Sequence, residues 1–402
     1  MRILFLTDNF PPESNAPATR TYEHSLEWVK KGHDVTIITG FPNFPNGKVF
    51  PGYKNSLIKK TFIDGIKVIR VWTYISANKG FIKRTLDYIS FAFSSFIIGL
   101  FIKTDIIVAT SPQFFSAISG RLLSFFKMRP WIMEVRDLWP ESISAVGAMN
   151  KNNIIFKILE WIELKLYISA KKIIVVTETF KKIIASKGID NDKIFVHKNG
   201  IDLVKYKPQL KNQKLLKKLG LVDKKIFAYV GTHGMAHGLS FIINSLPDVY
   251  KKIPNVIFLF IGDGAEKENL LSQAKSLNLK NITFLSSVPK NEIIKYISII
   301  DVALVNLKKS ETFKSVIPSK IFEAAAMEKP ILLGVEGESK EIIEKYCAGI
   351  CYEPENKNDF IDSCIKILDQ HNYNKAKLGS VNLAKDFDRK KIAVQLLNTI
   401  IK

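Results

Sequence analysis

The chain has 402 residues, more than one ordinary hydrophobic core accommodates, so the length predicts two domains. A hydrophobic fraction of 47% excludes a largely disordered chain. The formal charge of +21 predicts a polyanionic partner such as nucleic acid, anionic lipid or a phosphorylated substrate, with a simply solvated lysine surface as the plain alternative. The excess is greatest over residues 51–130, with 12 Lys and Arg against 3 Asp and Glu.

Cys347, Cys351 and Cys364 fit neither a disulfide framework nor a zinc spacing, and the chain reads as cytosolic. The first apolar run, Ile3–Leu6, is too short for a secretory leader and leads into Thr7-Asp8. The longest uncharged stretch, Tyr88–Ile102, is 15 residues, short of the ~20 that cross a bilayer. It is expected to be a buried helix of an α/β domain; the sharper alternative is a helix lying in the bilayer interface.

In chain order, a strand at 2–6 runs into the Pro-rich loop Asp8-Asn9-Phe10-Pro11-Pro12, a helix spans about Thr19 to Lys31, and Asp34–Thr39 is the next buried strand. Strand, helix, strand is a βαβ unit and predicts a parallel sheet. Further strands are expected near 67–72, 106–109, 131–135, 173–176 and 194–196, with a helix at 154–168. Asn199-Gly200-Ile201-Asp202 signals a turn, and the polar segment Lys205–Gln213 is expected to hold the domain boundary. A second series follows, with strands at 226–230, 256–261, 282–285, 301–305 and 331–333 and helices at 292–299 and 320–327. A last helix over about 386–401 has no strand after it and can cap either domain. The expected domains are 1–204 and 205–385, with 386–402 able to pack back on the first.

Ligands of open parallel sheets sit at the C-terminal ends of the strands, where glycine loops let backbone N–H groups face a phosphate. Three such loops are expected on one edge of the second domain: Gly231–Gly238, Gly262–Gly264 and Gly334–Glu338. Each alone could be a plain turn. His233 and His237, four apart in the first loop, are read as donors to a diphosphate rather than as metal ligands, because neither a Glu base nor a third ligand accompanies them. Pro318-Ser319 opens the next helix, with Ser319 expected to cap it. Lys320 sits in its first turn, where a shared anion would offset an unfavourable dipole. Glu323 is either a surface carboxylate or the acceptor of two ribose hydroxyls. In the first domain, Glu134, Arg136, Asp137 and Glu141 crowd a strand end, which is costly unless they face a cleft, and they are candidate contacts to a sugar or acceptor.

Several of these segments resemble the family-four glycosyltransferases of the GT-B fold. The opening Leu6-Thr-Asp-Asn-Phe-Pro-Pro-Glu-Ser-Asn-Ala-Pro-Ala-Thr-Arg20, the run Gly32–Thr39, Asn199–Asp202 and Pro318–Glu323 carry the likeness, which covers essentially the whole chain. The opening, Gly-Phe-Pro-Asn-Phe-Pro45, Arg136–Glu141 and the loop Gly231–Gly238 look like the L-fucosamine transferase branch of O-antigen and capsule assembly. The resemblance implies two Rossmann-like domains facing a central cleft, the first binding an acceptor and the second a nucleotide sugar. It implies a retaining transfer without a metal or cofactor, from a UDP-sugar such as UDP-N-acetyl-L-fucosamine. The implied acceptor is a saccharide on undecaprenyl diphosphate. The enzyme would then sit peripherally on the anionic inner face of the plasma membrane, with no nucleic acid as partner. Carried onto this sequence, Lys320, His237, Arg136 and Asp137 are the expected catalytic residues. Gly231, His233, Gly234, Gly262, Val288, Ser319, Glu323, Gly337, Glu338 and Ser339 are expected to hold the donor. The pattern is broken in three places: Ser315 stands where the first of two family glutamates falls, the family's Arg and Lys in the loop after the second domain's first strand are absent with His233 and His237 lying near there instead, and Arg136 replaces the His of an HD pair. A UDP-N-acetylhexosamine 2-epimerase on the same scaffold is the alternative enzyme, and a nucleic-acid binder is suggested by charge alone.

Overall fold

The computed structural model describes residues 1–13, 15–44, 47–76, 81–111, 115–141, 152–289 and 292–402. Ser14 of the opening motif and Pro45 of the second lie outside them. The chain divides into two compact units, Met1–Lys198 with Arg389–Lys402, and Asn199–Asp388. The division falls ahead of the polar segment 205–213 because the turn at 199–202 is tied into the second unit. Ile201 N–H donates to the Phe387 carbonyl at 3.0 Å, and Ile201 pairs with Asp388.

The first unit is built on an eight-stranded sheet. Its strands are β1 (Arg2–Leu6), β2 (Asp34–Thr39), β3 (Ile58–Ile63), β4 (Ile66–Val71), β5 (Ile106–Thr110), β6 (Trp131–Val135), β7 (Lys172–Val175) and β8 (Ile194–Val196). Their order is β3-β4-β2-β1-β5-β6-β7-β8, and all neighbours are parallel except β3 with β4. Alternate residues of β1 face opposite sides: Leu4 and Leu6 join one apolar layer, Ile3 and Phe5 the other. Sequence reasoning missed β3. Its signal was Asp64-Gly65, both with positive φ (47° and 81°), a two-residue hairpin turn between β3 and β4.

Helix α1 (Ala16–Lys30) begins earlier than its expected start near Thr19, because Asn15 caps it, accepting from Ala18 N–H at 2.9 Å, with a proline in the first turn. Helices α2 (Phe81–Leu100), α3 (Phe115–Lys127), α4 (Ile154–Ser169) and α5 (Glu178–Ser186) follow. The expectation of a buried helix over Tyr88–Ile102 holds for one face only. Phe91 and Ser95 are buried, whereas Ile89, Phe93, Ile97 and Phe101 are exposed. Among the described residues no helix is long and apolar enough to cross a membrane.

The second unit carries six parallel strands: β9 (Lys225–Val230), β10 (Val256–Ile261), β11 (Ile282–Leu285), β12 (Val302–Asn306), β13 (Ile331–Gly334) and β14 (Gly349–Cys351). Their order is β11-β10-β9-β12-β13-β14, a doubly wound sheet whose strand order reverses between β9 and β12. Ile226 and Ala228 enter one apolar layer, and Phe227 and Tyr229 the other. Helices α6 (Gln213–Leu219), α7 (Leu239–Lys252), α8 (Lys267–Ser276), α9 (Ile293–Ile299), α10 (Lys320–Ala326), α11 (Glu338–Tyr346), α12 (Lys357–Lys366) and α13 (Gln370–Asp386) cover its two faces.

The expected last helix starts later than 386. α13 stops at Asp386, and α14 (Arg389–Ile401) is a separate helix belonging to the first unit. There Leu396, Leu397 and Ile400 pack with β1 and β2 residues, and Trp28 Nε1 donates to the Ala393 carbonyl at 2.9 Å.

Candidate functional site

In a doubly wound sheet the switch point leaves a crevice at the C-terminal ends of the two central strands. In the second unit these ends are Val230 and Asn306. The loops after β9, β10 and β13 leave the same edge because the strands are parallel. Gly231 (φ 142°) and Gly262 (φ 146°) let the first two loops touch: a methyl group on Gly262 would strike the Gly231 carbonyl, and one on Gly231 would strike the end of Lys320.

Lys320 is the central side chain. It opens α10, and its ammonium lies 3.0 Å from Tyr229 Oη and 4.6 Å from the centre of that ring. Tyr229 Oη donates to the Thr232 carbonyl at 2.7 Å and so accepts from Lys320. Burial lowers the Lys320 pKa to about 8, opposed by Glu323 one turn along the helix. A cation held in this way is short of counter-charge, which favours an anion beside it.

His237 ends a tight turn, Met235–His237. Asn306 pins that turn to β12, donating from Nδ2 to the His237 carbonyl at 2.7 Å, while Tyr352 Oη donates to Asn306 Oδ1 at 2.6 Å. Burial first, then Lys320, lowers His237 to about 4, so the ring is neutral at neutral pH and offers one N–H. Its Nδ1 is buried without a hydrogen-bond partner. His233 stands differently. Its ring is fully buried among Tyr229, Phe260 and Phe284, with neither ring nitrogen partnered, and burial lowers its pKa. Its backbone ties two loops together: its N–H donates to the Asp263 carbonyl and its carbonyl accepts from Glu266 N–H, both at 2.9 Å.

Gly234 precedes the turn that carries His237. Glu323 is half-buried beside Lys320. Ser319 does not cap α10: it already has helical dihedrals, makes no capping bond and is exposed. Proline at 318 sets the chain into the helix, which leaves the serine inside the first turn instead of ahead of it. Gly337 (φ 69°) precedes α11, and the buried Glu338 and Ser339 form its first turn, where backbone N–H groups have no intrahelical partner. Ser339 Oγ donates to the Val316 carbonyl at 2.8 Å. Val288 packs at the margin of the core beside β11. Ser315, at the family glutamate position, donates to the Thr312 carbonyl at 2.9 Å.

Lys267 was not anticipated. It donates to the Gly262 carbonyl at 2.9 Å and pairs with Asp263, whose other oxygen takes Ser287 N–H at 2.6 Å. Tyr229, Asn306 and Tyr352 were missed as well. A polar Asn closing the buried strand Val302–Asn306 was the one available signal.

Arg136 and Asp137 belong to the first unit, after β6. Of the four charges there, Glu134 is an internal partner and not a ligand contact: Arg20 Nε lies 3.1 Å from it, both side chains being buried. Burial would raise Glu134, but Arg20 and Arg136 outweigh it and hold the carboxyl below its ordinary value. Arg20 also donates to the carbonyls of His197 and Lys198 at 3.2 and 3.3 Å. Glu141 pairs with Lys187, which also holds Glu163. Arg136 N–H donates to Ser111 Oγ at 2.8 Å, while its Nε and Nη1 are buried without partners. Burial lowers Arg136 to about 10, opposed by Glu134. Asp137 is half-buried next to it. Among the described residues no three His, Cys, Asp or Glu side chains gather as metal ligands.

Two doubly wound units of this kind define the GT-B class. Residues 17–205 match the model of Glycosyltransferase Family 4, and residues 211–379 that of Glycosyl transferases group 1. The chain belongs to these glycosyltransferases, and it is an enzyme. It is 24% identical over 374 residues to "Putative colanic acid biosynthesis glycosyl transferase WcaI" of Escherichia coli (strain K12), covering 89% of each chain. Solved structures share its fold, the following two among them. Sucrose-phosphate synthase from Thermosynechococcus elongatus has a TM-score of 0.77 at 15% identity, covering 99% of this chain and 98% of that one. Anabaena HepE in complex with UDP-glucose has a TM-score of 0.71 at 16% identity, covering 99% of both.

Proposed function

We propose that this glycosyltransferase moves a hexosyl unit, N-acetyl-L-fucosamine or a related amino sugar, from a UDP-sugar to a saccharide carried on undecaprenyl diphosphate. The product belongs to O-antigen or capsular polysaccharide synthesis. The enzyme works with retention and without a metal, peripherally on the inner face of the plasma membrane. The observation that carries this reading is Lys320: an ammonium fixed by Tyr229, half-buried and short of counter-charge, at the edge where the glycine loops end. The E. coli relative named for colanic acid biosynthesis and the HepE structure with UDP-glucose lend support.

The bond between the anomeric carbon and the diphosphate oxygen breaks as the acceptor oxygen forms its own bond to that carbon. Negative charge grows on the departing phosphate, so donors fixed there in advance lower the barrier most. Lys320, the neutral His237 ring and the backbone at Gly337 supply them. Glu323 accepts the ribose hydroxyls. The departing phosphate takes the acceptor's proton, and Arg136 and Asp137 orient the acceptor or the sugar.

The test is a thermal-shift panel of UDP- and GDP-sugars. One UDP-sugar at about 100 times its Kd should stabilise the protein by about 2.7 kcal/mol. Lys320→Ala should lower turnover about 10²–10³-fold while the protein stays folded, and EDTA should leave turnover unchanged. A folded Lys320→Ala protein with full turnover, or no response to any UDP-sugar, overturns the reading.

A further inference from the structure

At the N-terminal edge of the first unit's sheet, remote from the strand ends that carry Arg136, an open pocket of about 480 Å³ is lined by four cations: Arg2, Lys103, Lys127 and Arg129. The strand starts bring them together. Arg2 opens β1, Lys103 precedes β5 and Arg129 precedes β6, while Lys127 closes α3. The carboxylates acting on the group are Asp105, bonded to Arg2, and Asp34. Lys127 donates to the Leu100 carbonyl at 2.9 Å, and burial lowers its pKa. Positive charge therefore exceeds negative in a pocket whose volume is ample for a phosphate.

The rim is apolar and uncovered. Phe101 is 81% exposed, Phe125 76%, Phe126 60% and Met128 88%. Phe126 both lines the pocket and packs on Phe96 of α2, with ring centroids 5.6 Å apart. Exposed Ile97 and Phe93 continue the apolar surface along α2. An apolar patch of this kind beside a cation cluster fits an occupant that is anionic at one level and hydrocarbon at the next.

We infer that this edge docks on an anionic phospholipid surface. A lipid phosphate sits among Arg2, Lys103, Lys127 and Arg129, and Phe101, Phe125, Phe126 and Met128 enter the acyl boundary. Attraction comes from the side chains, because the carbonyl ends of α2 and α3 that point here disfavour an anion. The inference deepens the peripheral-membrane part of the proposed function and rests on it, but vesicle binding is read without any sugar transfer.

The experiment is co-sedimentation of the full chain with vesicles of phosphatidylglycerol and phosphatidylcholine in equal parts, against phosphatidylcholine alone. The protein should sediment with the anionic vesicles only, less so as salt rises. A Lys103→Glu/Arg129→Glu variant and a Phe101→Ser/Phe125→Ser variant should each lose at least about tenfold in partitioning. Both should keep wild-type melting and UDP binding. Equal sedimentation with neutral vesicles, or unchanged binding by both variants, overturns the inference. So does a wild-type dimer in sedimentation velocity that the Phe variant abolishes, since a second copy would then cover the face. Lost UDP binding with intact vesicle binding would count against the donor reading alone.

Discussion

Lys320 is a charge placed where water is scarce, and its pH behaviour follows. Burial lowers its pKa to about 8. A bound diphosphate restores its hold on the proton, so above about pH 8 the complex carries more protons than the free protein, and UDP affinity should fall as pH rises through that value. Folding alone runs the other way. The unfolded lysine keeps its proton to about 10.4, so between about 8 and 10.4 the unfolded state binds more protons and this residue's contribution to stability rises with pH. Lys320→Met should flatten both trends, checked by calorimetric titration with UDP and by urea melts at neutral and alkaline pH. Arg20 offers a second test. Arg20→Met leaves Glu134 buried without its bonded partner and should cost about 3–5 kcal/mol in urea unfolding. Arg20→Met/Glu134→Leu should cost less, though the carbonyls of His197 and Lys198 still lose their donor.

Elements hold these side chains by contacts between loops. Gly262 lies against the Gly231 carbonyl with a φ of 146°, so Gly262→Ala pushes the β9 loop away from Lys320 and strains the backbone. About 1–3 kcal/mol of stability should go, and UDP binding with it, measured by chemical denaturation and titration. At α1, Asn15→Ala removes the side-chain cap and should cost about 1 kcal/mol in the same denaturation experiment. The contrast with Ser319 is instructive. Both residues stand directly before a helix, yet Asn15, with its proline two residues later inside the helix, has extended dihedrals and caps, whereas Ser319, directly after Pro318, is already helical and does not.

For the whole molecule, the return of the chain from the second unit to the first is the consequential feature. α14 completes the first unit's apolar layer through Leu396, Leu397 and Ile400, and Lys172 Nζ donates to the Thr399 carbonyl at 2.8 Å. Removing residues 389–402 should lower the melting of the first unit and leave the second unit's transition in place, visible by calorimetry as the shift of one of two peaks. Much of this architecture was legible from local order: apolar runs ended by glycine loops fix parallel strands, since βαβ connections admit few alternatives. Lys320 and the three glycine loops could be named because a strand's end, a glycine and a helix start are local signals. The short β14 carried no such signal, and β3 lay behind an Asp-Gly turn. Which side chains meet depends on contacts distant in sequence. His233 and His237 are four residues apart, yet one ring is sealed among aromatics from β9, β10 and β11 while the other lies close to Lys320. The Arg20–Glu134 pair joins residues on α1 and β6, and α14 reaches its unit across the whole of the other. Sequence order sets each segment's period and ends; burial and partner choice arise only once distant segments exclude water together.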